Sequence, residues 1–360
     1  VVMSRAIIKK DKIFFFVEKK KLPSVKFSFN NKKIKISDIN DFEKKLTEIP
    51  KNSNIFVDNE TSYYYYRLIK KKSVNVYSGI DPCKVVQSIK NPTEINFAKK
   101  SHIYDGIALV RFFSWLSKQK FNQNFTEYSV ALELESFRKK NNNFYSLSFP
   151  TISASGANAS IIHYNPKEKS SILKKGHLFL CDSGGQYFGA TTDVTRTIIL
   201  GSSRPLSEYI KFYTYILMGH INISMLKFPI GTKGHQIDIL GRYFLWNLGV
   251  DYNHGTGHGV GSFLGVHEGP QSISKKFNNF SLKEGMILSN EPGYYKNGKF
   301  GIRIENLLFV KPSKNPSFLE FETLTLCPYD RNLIPFVLNF VCFGLEFTNS
   351  FCPTCKSIVW

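Results

Sequence analysis

Cysteine is scarce in this chain. There are six in 360 residues (Cys83, Cys181, Cys327, Cys342, Cys352 and Cys355), irregularly spaced, which excludes a disulfide-built mini-scaffold and fits reduced thiols in a reducing compartment. Long apolar runs are missing too. The longest, Phe336 to Phe347, is broken by Asn339 and contains Glu346, well short of the roughly 20 residues that span a bilayer. No transmembrane helix and no membrane partner are expected. The start, Val1-Val2-Met3-Ser4-Arg5, lacks the charged region, apolar stretch and cleavage site of a secretory signal, so the expected location is cytoplasmic. No repeat of solenoid period occurs. Acidic residues are outnumbered, 28 against 48 basic ones, for a net charge of +20.

The excess charge is uneven: the first hundred residues hold 22 basic and 10 acidic side chains, the other 260 hold 26 and 18. Such a bias would suit a nucleic-acid or anionic surface, especially with interleaved aromatics. The plainer reading is solvated lysines in a Lys/Asn/Ile-rich composition, and nucleic acid is not expected as a partner. With 42% hydrophobic and 21% charged residues the composition is that of a globular protein, and at about 150 residues per domain the length suggests two domains.

Short apolar runs at 6–17 and 54–58, with a short helix over Asp38 to Leu46, read as a small α/β unit. Ser78-Gly79-Ile80-Asp81-Pro82 interrupts regular structure and marks a boundary. Asn91-Pro92-Thr93-Glu94 is a capping-box arrangement that predicts a long helix carrying Ile103, Ile107, Val110 and Leu116. A second helix is expected from Thr126, with Val130, Leu134 and Phe137. Strands follow at 177–182 and 192–200, helices near 206–226 and 234–248, and strands at 285–291 and 301–310. The mixed order favours α+β over alternating βαβ.

Five side chains stand in strand or glycine-rich contexts where a solvated charge is not the first expectation: Asp182, Asp193, His258, Glu291 and Glu305. Asp182 ends an apolar strand and Asp193 lies on the strand returning from the Gly184/Gly185/Gly189 region, so a hairpin would join the two carboxylates. Glu291 and Glu305 are linked through Asn297-Gly298, a strong hairpin signal. A strict two-residue turn there puts 291 opposite 304, leaving Glu305 on the other face, so a shared ligand role requires a bulge or a looser loop. Between the pairs, His254-Gly-Thr-Gly-His258-Gly-Val-Gly261 has four glycines in eight residues, which argues against a helix and for backbone packed closely on a site. Four carboxylates and an imidazole suit two divalent ions, Mn²⁺ first, with Co²⁺, Zn²⁺ or Fe²⁺ as alternatives. Such a pair supports hydrolysis.

Together with Val266-His267-Glu268-Gly269-Pro270, Glu291-Pro-Gly and Gly301-Ile-Arg-Ile-Glu305-Asn, these motifs resemble the Xaa-Pro aminopeptidases (aminopeptidase P), in their long form, among the pita-bread metallopeptidases. The resemblance covers roughly residues 5–333. It implies an α+β fold, with a pita-bread catalytic domain over 83–334 preceded by a partial α/β domain over 1–82, and a divergent tail over 335–360. The long form has a further domain ahead of the one that begins here. The resemblance also implies that Asp182 binds the first metal, His258 and Glu291 the second, and that Asp193 and Glu305 bridge both. Glu291 would also be the general base. His163, His254 and His267 would face substrate and the transition state, with Arg303 and Tyr295 as supporting or substrate-side residues. The implied reaction is hydrolysis of the N-terminal Xaa-Pro bond of peptides with proline at position two, by a homodimer. Prolidase-like dipeptidase, methionine aminopeptidase and a non-catalytic pita-bread homologue binding peptides or proteins are the alternatives. Cys352-Pro-Thr-Cys355 has no partner pair and reads as incidental spacing.

Overall fold

The computed structural model describes residues 3–22, 34–121, 125–201 and 204–335. The apolar run from Phe336, Cys342, and the Cys352/Cys355 pair lie outside the described residues. Contacts divide the chain into two units, Val1–Cys83 and Lys84–Trp360. Among the described residues no helix is long and apolar enough to cross a membrane.

In the first unit, β1 (Ser4–Ile8) runs antiparallel to β2 (Ile13–Val17), which pairs in parallel with β3 (Ile34–Ser37). After α1 (Asp41–Thr47), β4 (Asn54–Asp58) pairs in parallel with β5 (Asn75–Gly79) across α2 (Tyr63–Lys70). Alternation in β2 turns Phe14 and Phe16 inward. They meet Phe42 and Leu46, one helical turn apart on α1, and Ile69 of α2. The helix expected from Asp38 begins three residues later, because the Asp38 carboxylate accepts the Asn40 N–H at 3.1 Å and holds a turn there.

α3 (Pro82–Ser88) straddles the boundary, and the second unit continues with α4 (Pro92–Ser117) and α5 (Glu127–Lys139). The Asn91 carbonyl oxygen of the side chain accepts the N–H groups of Thr93 and Glu94, both at 3.0 Å, and the Glu94 carboxylate accepts the Asn91 N–H at 2.9 Å. The capping box therefore forms as its spacing implies. The face α4 buries, however, is Ala98, Asp105, Leu109, Phe112 and Leu116, while Ile103 and Ile107 point outward. α4 is apolar on more than one side, so spacing alone does not select the inner stripe.

The strands that follow are β6 (Phe144–Leu147), β7 (Ile152–Ser155), β8 (Leu178–Ser183), β9 (Gly185–Tyr187), β10 (Ala190–Thr191) and β11 (Val194–Ile199). β8 is central between β7 and β11. Phe179 and Cys181 pack with α4 and α5, whereas Leu178 faces the cluster of the next two helices. Those helices are α6 (Ser207–Ser224) and α7 (Gly234–Trp246), with β12 (Lys227–Pro229) between them. The chain continues through β13 (Gly257–His258), β14 (Ser272–Ile273), β15 (Ile287–Asn290), β16 (Gly293–Lys296), β17 (Phe300–Arg303), β18 (Asn306–Pro312) and β19 (Phe318–Thr323). A four-stranded sheet has the order β12-β19-β18-β15. The single strand expected at 301–310 is thus two, β17 and β18, separated at Ile304 and Glu305.

One buried polar cluster joins the helices to the sheet. Arg138 of α5 donates through Nε to Asp105 Oδ1 of α4 at 2.7 Å and through Nη2 to Ser183 Oγ of β8 at 3.1 Å, while the Tyr187 hydroxyl of β9 donates to Asp105 at 2.8 Å. Burial would raise the Asp105 pKa, but the Arg138 charge overrides it and the carboxyl stays below its ordinary range. Replacing Arg138 by Met leaves that carboxylate buried without its counter-ion. The expected loss is about 3–5 kcal/mol of unfolding free energy, measured by urea denaturation. A loss below about 1 kcal/mol would contradict this role.

Candidate metal centre

Antiparallel pairing of β8 and β11 sets Asp182 opposite Thr195. Asp193 lies two residues before Thr195, so strand alternation puts it on the same face as Asp182. Both carboxylates are buried, and Oδ1 of each has no hydrogen-bond partner. Asp182 Oδ2 accepts from Arg303 Nη2 at 2.6 Å.

The second acidic pair owes its placement to one residue in a turn. The loop between β16 and β17 holds three residues, Asn297 to Lys299, closed by the Lys299 N–H donating to the Lys296 carbonyl at 2.9 Å. Gly298 takes the left-handed conformation, φ 65°, where a side chain would be strained. Compared with a two-residue turn, this moves the register by one. Gly293 then pairs with Arg303, and Asn290 pairs with Asn306 in β15 and β18. The same register sets Glu291 opposite Glu305, which is the looser-loop arrangement a shared site requires. At that point the ladder opens: the Glu291 N–H donates to the Thr256 carbonyl at 2.7 Å and the Glu305 N–H to the Thr195 carbonyl at 3.1 Å. Each glutamate is therefore tied by its backbone to a strand or loop carrying the other ligand candidates.

His258 closes the group from β13. A Cβ at Gly257 would sit 1.9 Å from the Ser289 carbonyl oxygen, so glycine is what lets this segment lie against β15. His258 Nδ1 lies 3.0 Å from the Gly259 carbonyl, which assigns the proton there and turns Nε2 toward the carboxylates. Nε2 is 3.5 Å from Asp193 Oδ2 and 3.5 Å from Glu291 Oε1. Ligand atoms of Asp193, His258 and Glu305 all lie within 4.8 Å of one another.

The electrostatics are those of a place short of positive charge. Burial, with Asp182 and Glu291 nearby, pushes Asp193 up to about 7 despite the His258 hydrogen bond. Burial, with Asp193, Glu291 and Asp182 nearby, holds Glu305 well above its usual range. Burial would lower His258, yet Asp193 and Glu291 raise it to about 9. Four carboxylates, two of them with an orphaned oxygen, and one imidazole form a donor set that fits hard-to-borderline divalent ions.

The other expected residues divide into two groups. Arg303 is buried and donates to the Tyr295 hydroxyl through Nη1 at 2.7 Å and to Thr195 Oγ1 through Nε at 3.3 Å. The Tyr295 hydroxyl in turn donates to His254 Nε2 at 2.9 Å, and His254 Nδ1 donates to the Gly255 carbonyl at 2.8 Å. Both nitrogens of His254 are thus engaged. Burial lowers the His254 pKa and pushes the Tyr295 hydroxyl up to about 12. The His267 ring stands 4.3 Å from that of His258, centroid to centroid, and burial with the His258 and His163 charges lowers its pKa. His163 is exposed at 161–164, beyond the cluster itself.

Two residues of the site escape a motif-based reading. Thr195 Oγ1 donates to Glu305 Oε2 at 2.7 Å. Ser289 Oγ donates to Glu291 Oε1 at 3.2 Å and accepts the His258 N–H at 2.9 Å. Each lies two positions from a carboxylate along a strand, so counting by twos from Asp193 and Glu291 is the signal that finds them.

Comparison with known proteins gives a consistent picture. The model of metallopeptidase family M24 matches residues 96–312, and that of the creatinase/prolidase N-terminal domain matches residues 1–94. Xaa-Pro aminopeptidase 1 of Dictyostelium discoideum is 42% identical over 345 residues, covering 93% of this chain and 54% of that protein. A probable Xaa-Pro aminopeptidase P of Coprinopsis cinerea is 40% identical over 358 residues, covering 93% and 57%. The chain spans about half the length of the curated relatives it matches. Among solved structures, X-prolyl aminopeptidase of Caenorhabditis elegans, described as a cytosolic enzyme with a di-nuclear active site, superposes with a TM-score of 0.83 at 33% identity, covering 93% of this chain and 56% of that one. The prolidase of Pyrococcus furiosus, 24% identical with a TM-score of 0.72 and 89% coverage of each chain, shares the fold.

Crowded carboxylates oppose folding, and bound cations would offset that cost. Glu305→Gln keeps an acceptor for Thr195 but removes one charge. In EDTA this variant is expected to unfold at equal or higher free energy than wild type, by up to about 1–2 kcal/mol. It should also lose most of the metal-induced gain, which for wild type at a hundredfold excess over Kd is about 2.7 kcal/mol. Denaturation with and without Mn²⁺ measures both, and equal metal stabilisation of the two proteins would contradict the assignment.

Proposed function

The chain belongs to metallopeptidase family M24, and from that premise we propose that it is a metal-dependent aminopeptidase hydrolysing the N-terminal Xaa-Pro bond of peptides. The observation that carries the reading is the convergence of Asp182, Asp193, His258, Glu291 and Glu305 through two strand registers, in a chain 42% identical to a protein named Xaa-Pro aminopeptidase. Two divalent ions, Mn²⁺ first and Co²⁺, Zn²⁺ or Fe²⁺ as alternatives, would there lower the pKa of water and polarise the scissile carbonyl. In this reading Asp182 holds the first, His258 and Glu291 the second, and Asp193 and Glu305 face both.

The chain's own groups account for the remaining steps. Glu291 accepts a proton from the attacking water, with Ser289 fixing its Oε1 so that the other oxygen stays available. His267 makes no described hydrogen bond, and partial desolvation beside His258 lowers its pKa, so its ring is free to donate toward the carbonyl oxygen. His254, engaged at both nitrogens, braces Tyr295 and through it Arg303, which keeps Asp182 in place. His163, exposed, is assigned to the substrate entrance. The prolyl nitrogen leaves once protonated. A homodimer and a cytoplasmic location complete the proposal, the latter supported by the cytosolic Caenorhabditis elegans enzyme.

Two measurements test this. A tripeptide X-Pro-Y should be cleaved faster than the dipeptide X-Pro, and the reverse order would make the enzyme a prolidase-like dipeptidase. Glu291→Gln should lower kcat by about 10² or more even where metal content, read by elemental analysis, recovers. Full activity in the metal-loaded variant would remove the base role.

A further inference from the structure

Lys90, just ahead of the N-cap of α4, has a side chain only 1% exposed. A buried ammonium requires a partner, and this one has Glu268: Nζ lies 3.0 Å from Glu268 Oε1. Gln87 Nε2 donates to Glu268 Oε2 at 2.8 Å. Both oxygens of Glu268 are therefore held by side chains that lie about 180 residues earlier in the chain.

Glu268 directly follows His267 and closes the loop that returns from His258. Its N–H donates to the Gly259 carbonyl at 2.8 Å, and the Gly261 N–H donates to the Gly265 carbonyl at 2.9 Å. The loop has no slack around the carboxylate, since a Cβ at Gly261 would meet Glu268 Oε2 at 2.7 Å and the Leu264 carbonyl oxygen at 2.3 Å. At its other end Lys90 is fixed by its own backbone, whose N–H donates to the Gly285 carbonyl at 2.9 Å, next to the bridge between Ile89 and Met286. Met286 leads into β15, the strand that ends one residue before Glu291. A continuous covalent and hydrogen-bonded path thus runs from the Glu291 strand through Lys90 and Glu268 to His267.

We propose that Lys90 is a positioning residue for His267, acting through its ion pair with Glu268 to hold the 259–268 loop and set the His267 ring against His258. Its catalytic consequence rests on the Xaa-Pro peptidase reading, while its structural consequence does not. The side chains of the pair touch none of the ligand candidates, and the Gly259 carbonyl that His258 Nδ1 faces is fixed on its own strand segment, so the larger effect falls on the donor to substrate and the smaller on metal affinity.

The test uses the full chain, Mn²⁺-loaded, as wild type, Lys90→Met, Glu268→Gln and the double variant. In Lys90→Met, amide hydrogen exchange at Glu268 and Gly261 should quicken at least tenfold while β8 and β11 amides stay unchanged. On X-Pro-Y, kcat should fall about tenfold or more, as expected when a catalytic group is displaced by a fraction of an ångström to an ångström. Mn²⁺ Kd should change less than threefold. The double variant, which buries no unpaired charge, should recover the unfolding midpoint but keep the low kcat. Glu268→Gln alone, which retains acceptor and shape, should fall between and gives a foldable variant if Lys90→Met does not express. Unchanged exchange at Glu268 and Gly261 overturns the proposal. So does a kcat that returns together with stability in the double variant. If the wild type cleaves no Xaa-Pro bond, the peptidase reading fails, and the exchange measurement still decides whether Lys90 holds the loop.

Discussion

Four carboxylates within reach of one another, three of them buried, repel, and the second unit is built to keep them together all the same. Water hardly screens Asp182, Asp193 and Glu305, and reaches Glu291 only in part. Nor do the cations at hand screen the set, since Arg303 spends its charge on Asp182 and His258 is shared between Asp193 and Glu291. Isolated hairpins would splay under this load. Here the two carboxylate-bearing ladders are sewn to each other where the second opens, through Glu305 to Thr195, while Glu291 to Thr256 ties in the glycine-rich segment that carries His258. The missing charge is what divalent ions would bring.

That arrangement explains features remote from it. Gly257 must lack a side chain so that His258 can lie against β15. Arg196, fully buried, donates to the Glu305 carbonyl at 2.7 Å and to Asn306 Oδ1 at 2.8 Å, stiffening the strand at the point where its pairing is interrupted. The Asp105–Arg138 pair anchors β8 at Ser183, the residue after Asp182. Each device fixes a backbone position within one or two residues of a ligand candidate, as rigid sites require.

Much of this was legible in the residues and some was not, for identifiable reasons. The α4 capping box and the Asp182/Asp193 hairpin follow from local chemistry and strand alternation, both of which act over a few residues. The Glu291/Glu305 pairing was open because Asn297-Gly298 fits turns of two or three residues equally, and the choice belongs to Lys299 and to the continuation of the ladder into β18. Ile103 and Ile107 misled because a helix apolar on several sides hides which stripe the sheet covers. Thr195 and Ser289 were silent because a hydroxyl in a strand carries no motif until its neighbour across the sheet is known. Lys90 was lost among 48 basic residues, and burial alone distinguishes it.

The claim at the centre is that five side chains from two hairpins and a glycine-rich segment hold two cations. Diffraction from Mn²⁺-soaked crystals at the manganese absorption edge tests it most directly. Two anomalous peaks about 3.5–4 Å apart are predicted, one beside Asp182, the other beside His258 and Glu291, with Asp193 and Glu305 between them. A single peak among Asp193, His258 and Glu305, or none, would contradict the account.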